Sequence, residues 1–407
     1  MTGPRLLWPC LILLSAPVAA EEPASPLSPG RTIEQRIEQS IDAAATLYDE
    51  PDLRLSLDMS LGIEATPSAG MDASLADPAN SGGLQTTLAP IGIEQRIDKG
   101  LTAAGEESAF PADYAYGAFQ RGWFLTAFSL ALERAEKNDA AAQTLLGVLL
   151  SRGLGVKKDL AAAADWYGLA AKSGNPEALY ALARLHLDGS GTERDTAHAA
   201  DLLQQAADKG HAVASRELGY LLLQGSGREK NAMLAAAYFR RAARFGDIEA
   251  QYTLAGLYVE GVGVVANEKQ AARWFETAAR NGHTGAQVEF ALLLFNGRGV
   301  PKDEAAGASW LRHAANADNP VAQLRLARVL AEGVGLDADA AAAARWYLIA
   351  RERGLEDEFM ENRLARLDPE ALQSATAAAA EWARSRRTWK QASAPVEAGA
   401  QVDNSLE

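Results

Sequence analysis

A pair of glycines recurs at one fixed interval of 36 residues: Gly153/Gly155, Gly189/Gly191, Gly225/Gly227, Gly261/Gly263, Gly297/Gly299 and Gly333/Gly335. Six copies in phase leave few architectures open. The chain repeats one supersecondary unit, and each copy buries its apolar face against the next. Six residues after the first glycine of each pair stands Asp159, Asp195, Asn231, Asn267, Asp303 or Asp339. Such side-chain oxygens accept the free amides of a helix's first turn, so this column marks a helix start. The first glycine is expected in the left-handed conformation that closes the preceding helix without a Cβ clash.

Six units then tile 139–354, as 139–174, 175–210, 211–246, 247–282, 283–318 and 319–354. Each opens on a capping position, held by Asp139, Asn175, His211, Asp247, His283 and Asn319. Pro176 and Pro320 follow where a missing N–H costs nothing. The first helix carries Ala at 142, 178, 214, 250, 286 and 322, then an apolar column of Leu146, Leu182, Leu218, Leu254, Phe290 and Leu326. The second helix carries bulky pairs: Trp166-Tyr167, Leu202-Leu203, Tyr238-Phe239, Trp274-Phe275, Trp310-Leu311 and Trp346-Tyr347. Alanines flank these pairs, as close packing of helices requires. Both members of each pair, Trp274 included, are therefore assigned to the core.

The flanks differ. Residues 111–138 read as a degenerate helical hairpin, as befits a terminal repeat. Residues 355–388 read as capping helices, 356–367 and 369–387, with Asp368 as the cap of the second. The stretch 389–407 reads as a disordered acidic tail. Residues 21–110 are Pro/Ser/Gly-rich and read as a linker or mostly disordered region, with one short amphipathic helix near 32–47. Residues 1–20 have the pattern of a signal peptide: Arg5, then the apolar run 6–14, then small residues ending in Val18 and Ala20. Cleavage after Ala20 predicts a periplasmic or secreted protein with no membrane insertion, since the run is too short to span a bilayer. It also removes Cys10, the single cysteine, and with it any disulfide or thiol chemistry.

The formal net charge of -14 argues against nucleic acid as a partner. No phosphate-binding loop, His-Glu-x-x-His or Gly-x-Ser-x-Gly occurs, and Gly189-Ser190-Gly191 and Gly225-Ser226-Gly227 are copies of the repeat loop. His211 and His283 stand in the cap column, His186 in an apolar column, and His198 and His313 on polar faces. Ligands so distributed are not expected to converge, so no metal and no cofactor is expected. One feature stands out in so acidic a chain. Arg240, Arg241, Arg244, Arg273 and Arg280 fall on outward positions of second helices. They form a candidate binding patch for an acidic partner, or else balance carboxylates such as Glu249 and Glu276.

Ala-x-x-x-Leu, then Gly-x-Gly-Val-x-x-x-Asp, then Ala-x-x-Trp-Tyr/Phe-x-x-Ala-Ala resembles the Sel-1-like repeat family. Asp318 replaces the glycine that ends the second helix, Leu202-Leu203 the aromatic pair, and Arg351 the second alanine. The resemblance implies an all-α fold, a right-handed alpha-solenoid of helix-turn-helix repeats related to tetratricopeptide arrays. It implies adaptor work and no enzymatic activity. With the signal peptide, the chain is similar to periplasmic scaffolds and exopolysaccharide regulators. Their partners are envelope or periplasmic proteins, including the sensor domain of a membrane kinase. The cysteine-rich extracellular branch of the family is excluded. The alternative is a subunit or enzyme of cell-wall or surface-polysaccharide processing, which would need a cluster of perturbed carboxylates.

Overall fold

The computed structural model describes residues 113–392, and all regular structure there is helical. The stretches expected as a signal peptide, as a linker with a helix near 32–47 and as most of the acidic tail lie outside the described residues. The hairpin comprises α1 (Tyr114–Gln120) and α2 (Phe124–Glu136). The repeats follow as α3 (Ala140–Arg152) with α4 (Leu160–Lys172), α5 (Pro176–Asp188) with α6 (Thr196–Asp208), and α7 (Ala212–Gln224) with α8 (Ala232–Arg244). Next come α9 (Ile248–Glu260) with α10 (Glu268–Arg280), α11 (Thr284–Asn296) with α12 (Glu304–Asn316), and α13 (Pro320–Glu332) with α14 (Ala340–Arg351). The chain closes with α15 (Glu358–Leu364) and α16 (Pro369–Ala392). The segment expected as a helix over 356–367 is thus only two turns long, and α16 runs past its expected end at 387.

Two compact bodies divide these helices. Among the described residues, one contains 113–130 together with Gly147–Asp165; the other contains Ala131–Leu146 and 166–392. In the first, Gly155 lies against α2, where an added Cβ would come within 2.7 Å of the Phe124 Cβ. In the second, each helix from α5 to α14 packs on its neighbours in sequence, and α14 also packs on α16.

Local chemistry explains the regularity. In each second helix described with a cap, the Asp or Asn side chain accepts a first-turn amide; Ala162 N donates to Asp159 Oδ1 at 2.9 Å, and Leu234 N to Asn231 Oδ1 at 3.0 Å. First helices do the same, and there histidine also serves. Ala214 N donates to His211 Nδ1 at 3.0 Å and Ala286 N to His283 Nδ1 at 2.9 Å. Gly261 takes φ +74 with its N–H on the Leu257 carbonyl, the left-handed closure expected from sequence.

The second glycine of each pair does something else. A Cβ on Gly263 would lie 2.0 Å from the Ala232 carbonyl oxygen, at the first residue of the preceding α8. Gly227, Gly299 and Gly335 sit likewise on Thr196, Glu268 and Glu304. This glycine is where the backbones of successive repeats touch, and any side chain would hold them apart.

The buried glutamine column joins repeats too. Gln251 Nε2 donates to the Ala243 carbonyl at 3.1 Å, and Gln287 Nε2 to that of Ala279 at 3.1 Å. Each adds a side-chain donor to a carbonyl in the last turn of the preceding helix, which also accepts the Gly246 or Gly282 amide. Where Asp318 stands in the glycine slot, it keeps the left-handed turn at φ 72. Its carboxylate pairs with Arg353, whose Nη1 also donates to the Asp318 carbonyl at 2.9 Å.

Candidate interaction surface

The first helices carry a polar ladder on their accessible side. Tyr180 on α5 donates its hydroxyl to Glu217 on α7 at 2.9 Å, and Arg184 donates to the same hydroxyl at 3.3 Å. One repeat on, Tyr220 and Thr253 share a hydrogen bond of 2.9 Å between α7 and α9. Arg216 approaches Asp247 at 3.7 Å, and His283 Nε2 approaches Glu249 Oε1 at 3.4 Å. The imidazoles are sandwiched into this ladder: His211 stacks on Tyr180 at 4.6 Å and His283 on Tyr252 at 4.3 Å. An open cleft of about 510 Å³ lies here, lined by Arg216, Asp247, Ile248, Glu249, Asn281 and His283.

Burial sets the charge states. Desolvation pushes the Tyr180 hydroxyl up from its ordinary value, with Glu217 adding to it and Arg184 opposing. It likewise raises Tyr220. The hydrogen bond from His283 holds Glu249 below the usual carboxylate range. Glu289 goes the other way, raised by burial against a smaller opposing pull from Arg325. His211 is lowered by burial although Glu177 and Glu217 face it.

The arginines named from sequence have separate surroundings. Arg241 reaches back one repeat to Asp208, with Nη1 3.1 Å from Oδ1 and Nη2 donating to the backbone carbonyl at 3.0 Å. Arg240 donates to the Tyr258 hydroxyl at 3.2 Å. Arg280 pairs with Glu276 on its own helix at 2.6 Å. Arg244 and Arg273 are exposed. Of the two carboxylates proposed to balance these arginines, Glu276 does so and Glu249 pairs with His283 instead.

Two assignments from sequence need correcting here. The bulky pairs of the second helices split into two columns. The second member is core throughout: Tyr167, Leu203, Phe239, Phe275, Leu311 and Tyr347 are at most 4% exposed. The first member is buried at Trp166, Leu202 and Trp346, but Tyr238, Trp274 and Trp310 are only half-buried. Neighbours in sequence are turned about 100° apart on a helix, so both cannot face one packed neighbour. Second, His186 and His198, expected not to converge, meet across their loop with ring centroids 4.7 Å apart. His186 Nδ1 lies 3.1 Å from the Glu193 carbonyl oxygen. Two imidazoles are short of a metal cage, and among the described residues no group of three or more His, Cys, Asp or Glu side chains could hold an ion.

Comparison with known proteins settles what the geometry belongs to. The profile described as Sel1 repeat matches six times, over 140–175, 176–211, 212–247, 248–283, 285–319 and 320–355. The chain belongs to the Sel1 repeat family. Among solved structures it is similar to a Sel1 repeat protein from Oxalobacter formigenes, at 27% identity and a TM-score of 0.51, over 61% of this chain and 99% of that one. It is also similar to a protective antigen present in uropathogenic Escherichia coli strains, at 27% identity and a TM-score of 0.45, with 69% of each chain covered. No protein with a curated description matches. Sel1 repeats generally mediate protein–protein interaction and are typically not enzymes. Among the described residues, no helix is long and apolar enough to cross a membrane.

Proposed function

We propose that this Sel1 repeat chain is an exported, periplasmic scaffold or regulator, holding or modulating an envelope signalling or exopolysaccharide system without catalysing a reaction. The observation that carries the reading is the ladder on the first helices. It offers Tyr, Arg, Glu and His side chains in register on consecutive repeats, already fixed by Tyr180–Glu217 and Tyr220–Thr253. Side chains held in place lose little entropy when a partner docks. The signal-peptide pattern at 1–20 supports a location of that surface outside the cytoplasm. Its partner is then an envelope protein, for which the sensor domain of a membrane kinase is the leading candidate.

The test is crosslinking and pull-down of the mature protein from its own envelope fraction. Recovery of one membrane sensor or secretion component, competed by the purified protein, is the expected result. Recovery of polysaccharide fragments with turnover of the glycan would instead make the chain part of a processing enzyme. The arginine patch enters as a second surface. Arg241→Glu with Arg244→Glu is expected to weaken capture while leaving the helical circular-dichroism signal intact. Unchanged capture removes the patch from the interface.

A further inference from the structure

The last repeat leaves an unfilled space of a defined shape. At each earlier junction in the larger body, a Gly-x-Gly loop rests on the first residue of the preceding second helix, as Gly335 does on Glu304. The residue at that register on α14 is Ala340. No such loop follows, because α15 has seven residues where α13 has thirteen, and the chain turns through Leu367-Asp368 straight into α16. A second change enlarges the gap. The four preceding repeats carry Leu187, Leu223, Val259 and Phe295 near the end of the first helix, the first repeat carries Ser151, and the last one carries Ala331.

The result is a pocket of about 180 Å³ walled by Ala331, Ala340, Ala343, Ala344, Met360 and Leu364. That is room for one large apolar side chain; an engineered cavity of about 150 Å³ takes benzene. Arg363 and Arg366 also line it. Both are exposed, and neither has an ion pair among the described residues. Arg363 lies over the Phe359 ring, 5.2 Å from its centroid, and its charge, like that of Arg366, is left without a carboxylate among the described residues. An apolar hole flanked by two such guanidinium groups suits a particular occupant, since carboxylates beside the anchor meet those groups in charge-assisted contacts.

We infer that the vacated loop position on α14 is a docking pocket for a partner segment that presents one large apolar side chain flanked by acidic residues. The inference rests on the interaction-scaffold reading and gives it one specific contact. It is tested apart from it, because a failure here leaves the envelope crosslinking result standing.

The probe is a fluorescent peptide, Glu-Asp-Phe-Asp-Glu, titrated into the full chain by anisotropy. Saturable binding is expected. It should weaken roughly tenfold or more when the peptide's Phe becomes Ala, and again when its acids become Lys. Ala331→Leu should weaken it similarly, since it restores the leucine of two sister repeats and fills the hole. Its far-UV circular dichroism checks that the chain still folds. Arg363→Glu with Arg366→Glu, on exposed positions, provides the second variant. The inference is overturned if the Phe peptide shows no saturable binding, or if Ala331→Leu binds it as well as wild type does. Tighter binding of a peptide copied from residues 393–407 would give the pocket to the chain's own tail, and would also overturn it.

Discussion

At the scale of single residues, the two glycines of one loop should respond differently to the same substitution. Gly261 and Gly263 both have positive φ, at +74 and +69, so alanine at either carries the left-handed penalty of about 1–2 kcal/mol. A Cβ on Gly261 would meet the Ala266 Cβ at 3.3 Å, which a slight shift relieves. On Gly263 it would meet the Ala232 carbonyl oxygen at 2.0 Å, and only separating two helices relieves that. Gly261→Ala is therefore expected to lower the unfolding free energy by about 1–2 kcal/mol, and Gly263→Ala by clearly more. Paired denaturant titrations measure both, and equal losses would refute the backbone contact. His211 gives a pH signature at the same scale. Its Nδ1 must be unprotonated to accept the Ala214 amide, and burial lowers its pKa below the unfolded value. The folded chain then binds fewer protons there. The contribution is present above about pH 6.5, the ordinary histidine value, and is lost as pH falls through the lower folded value. His211→Asn copies the cap of two sister repeats and should flatten the melting temperature between pH 7 and pH 5 relative to wild type. Parallel profiles would show that this cap does not titrate with folding.

At the scale of helices, the aromatic pairs separate what was legible in the sequence from what was not. Phe275→Ala removes a ring that is 1% exposed and should cost about 3–5 kcal/mol. Trp274→Ala removes a half-buried ring and should cost about half of that, in proportion to the area it covers. If thermal or chemical unfolding ranks the tryptophan first, the assignment of columns is wrong. Helix starts could be read directly, because an N-cap is decided by a residue and its own first turn, as at Asn267 and Gln270. The 36-residue period was legible for the same reason, repeated six times. The split between Trp274 and Phe275 was not, because it depends on which neighbouring helix lies across each ring. Nor was the role of Gly263, whose contact is with Ala232 on the preceding repeat. The pocket beside Ala331 needed both the short α15 and a comparison of registers along the array. One signal was available in the sequence: Ala331 stands where the four preceding repeats carry Leu, Leu, Val and Phe.

At the scale of the whole molecule, contacts between helices in the larger body run from neighbour to neighbour along the chain, α7 to α8, α8 to α9 and onward to α13 and α14. Stability in such an array is close to a sum of repeat and junction contributions. A defect then spreads one junction at a time, unlike a defect in a globular core, which weakens everything it is cooperative with. Gly263→Ala strikes the junction of α8 with the loop after α9, so α7 to α10 should lose most protection. The helices α14 and α16 are tied to each other by Trp346 against Trp382, with ring centroids 5.2 Å apart, and α14 lies two repeats beyond the one that holds Gly263. Native-state hydrogen exchange by mass spectrometry resolves the two cases. Faster exchange confined to peptides from 211–282, with peptides from 340–386 near wild type, is the expected outcome. A uniform rise across all described helices would mean that the array unfolds as one cooperative block, in which a partner bound at one repeat would stabilise every other. Local loss would mean the opposite for function: partners on distant repeats are held by the same scaffold yet act on it independently.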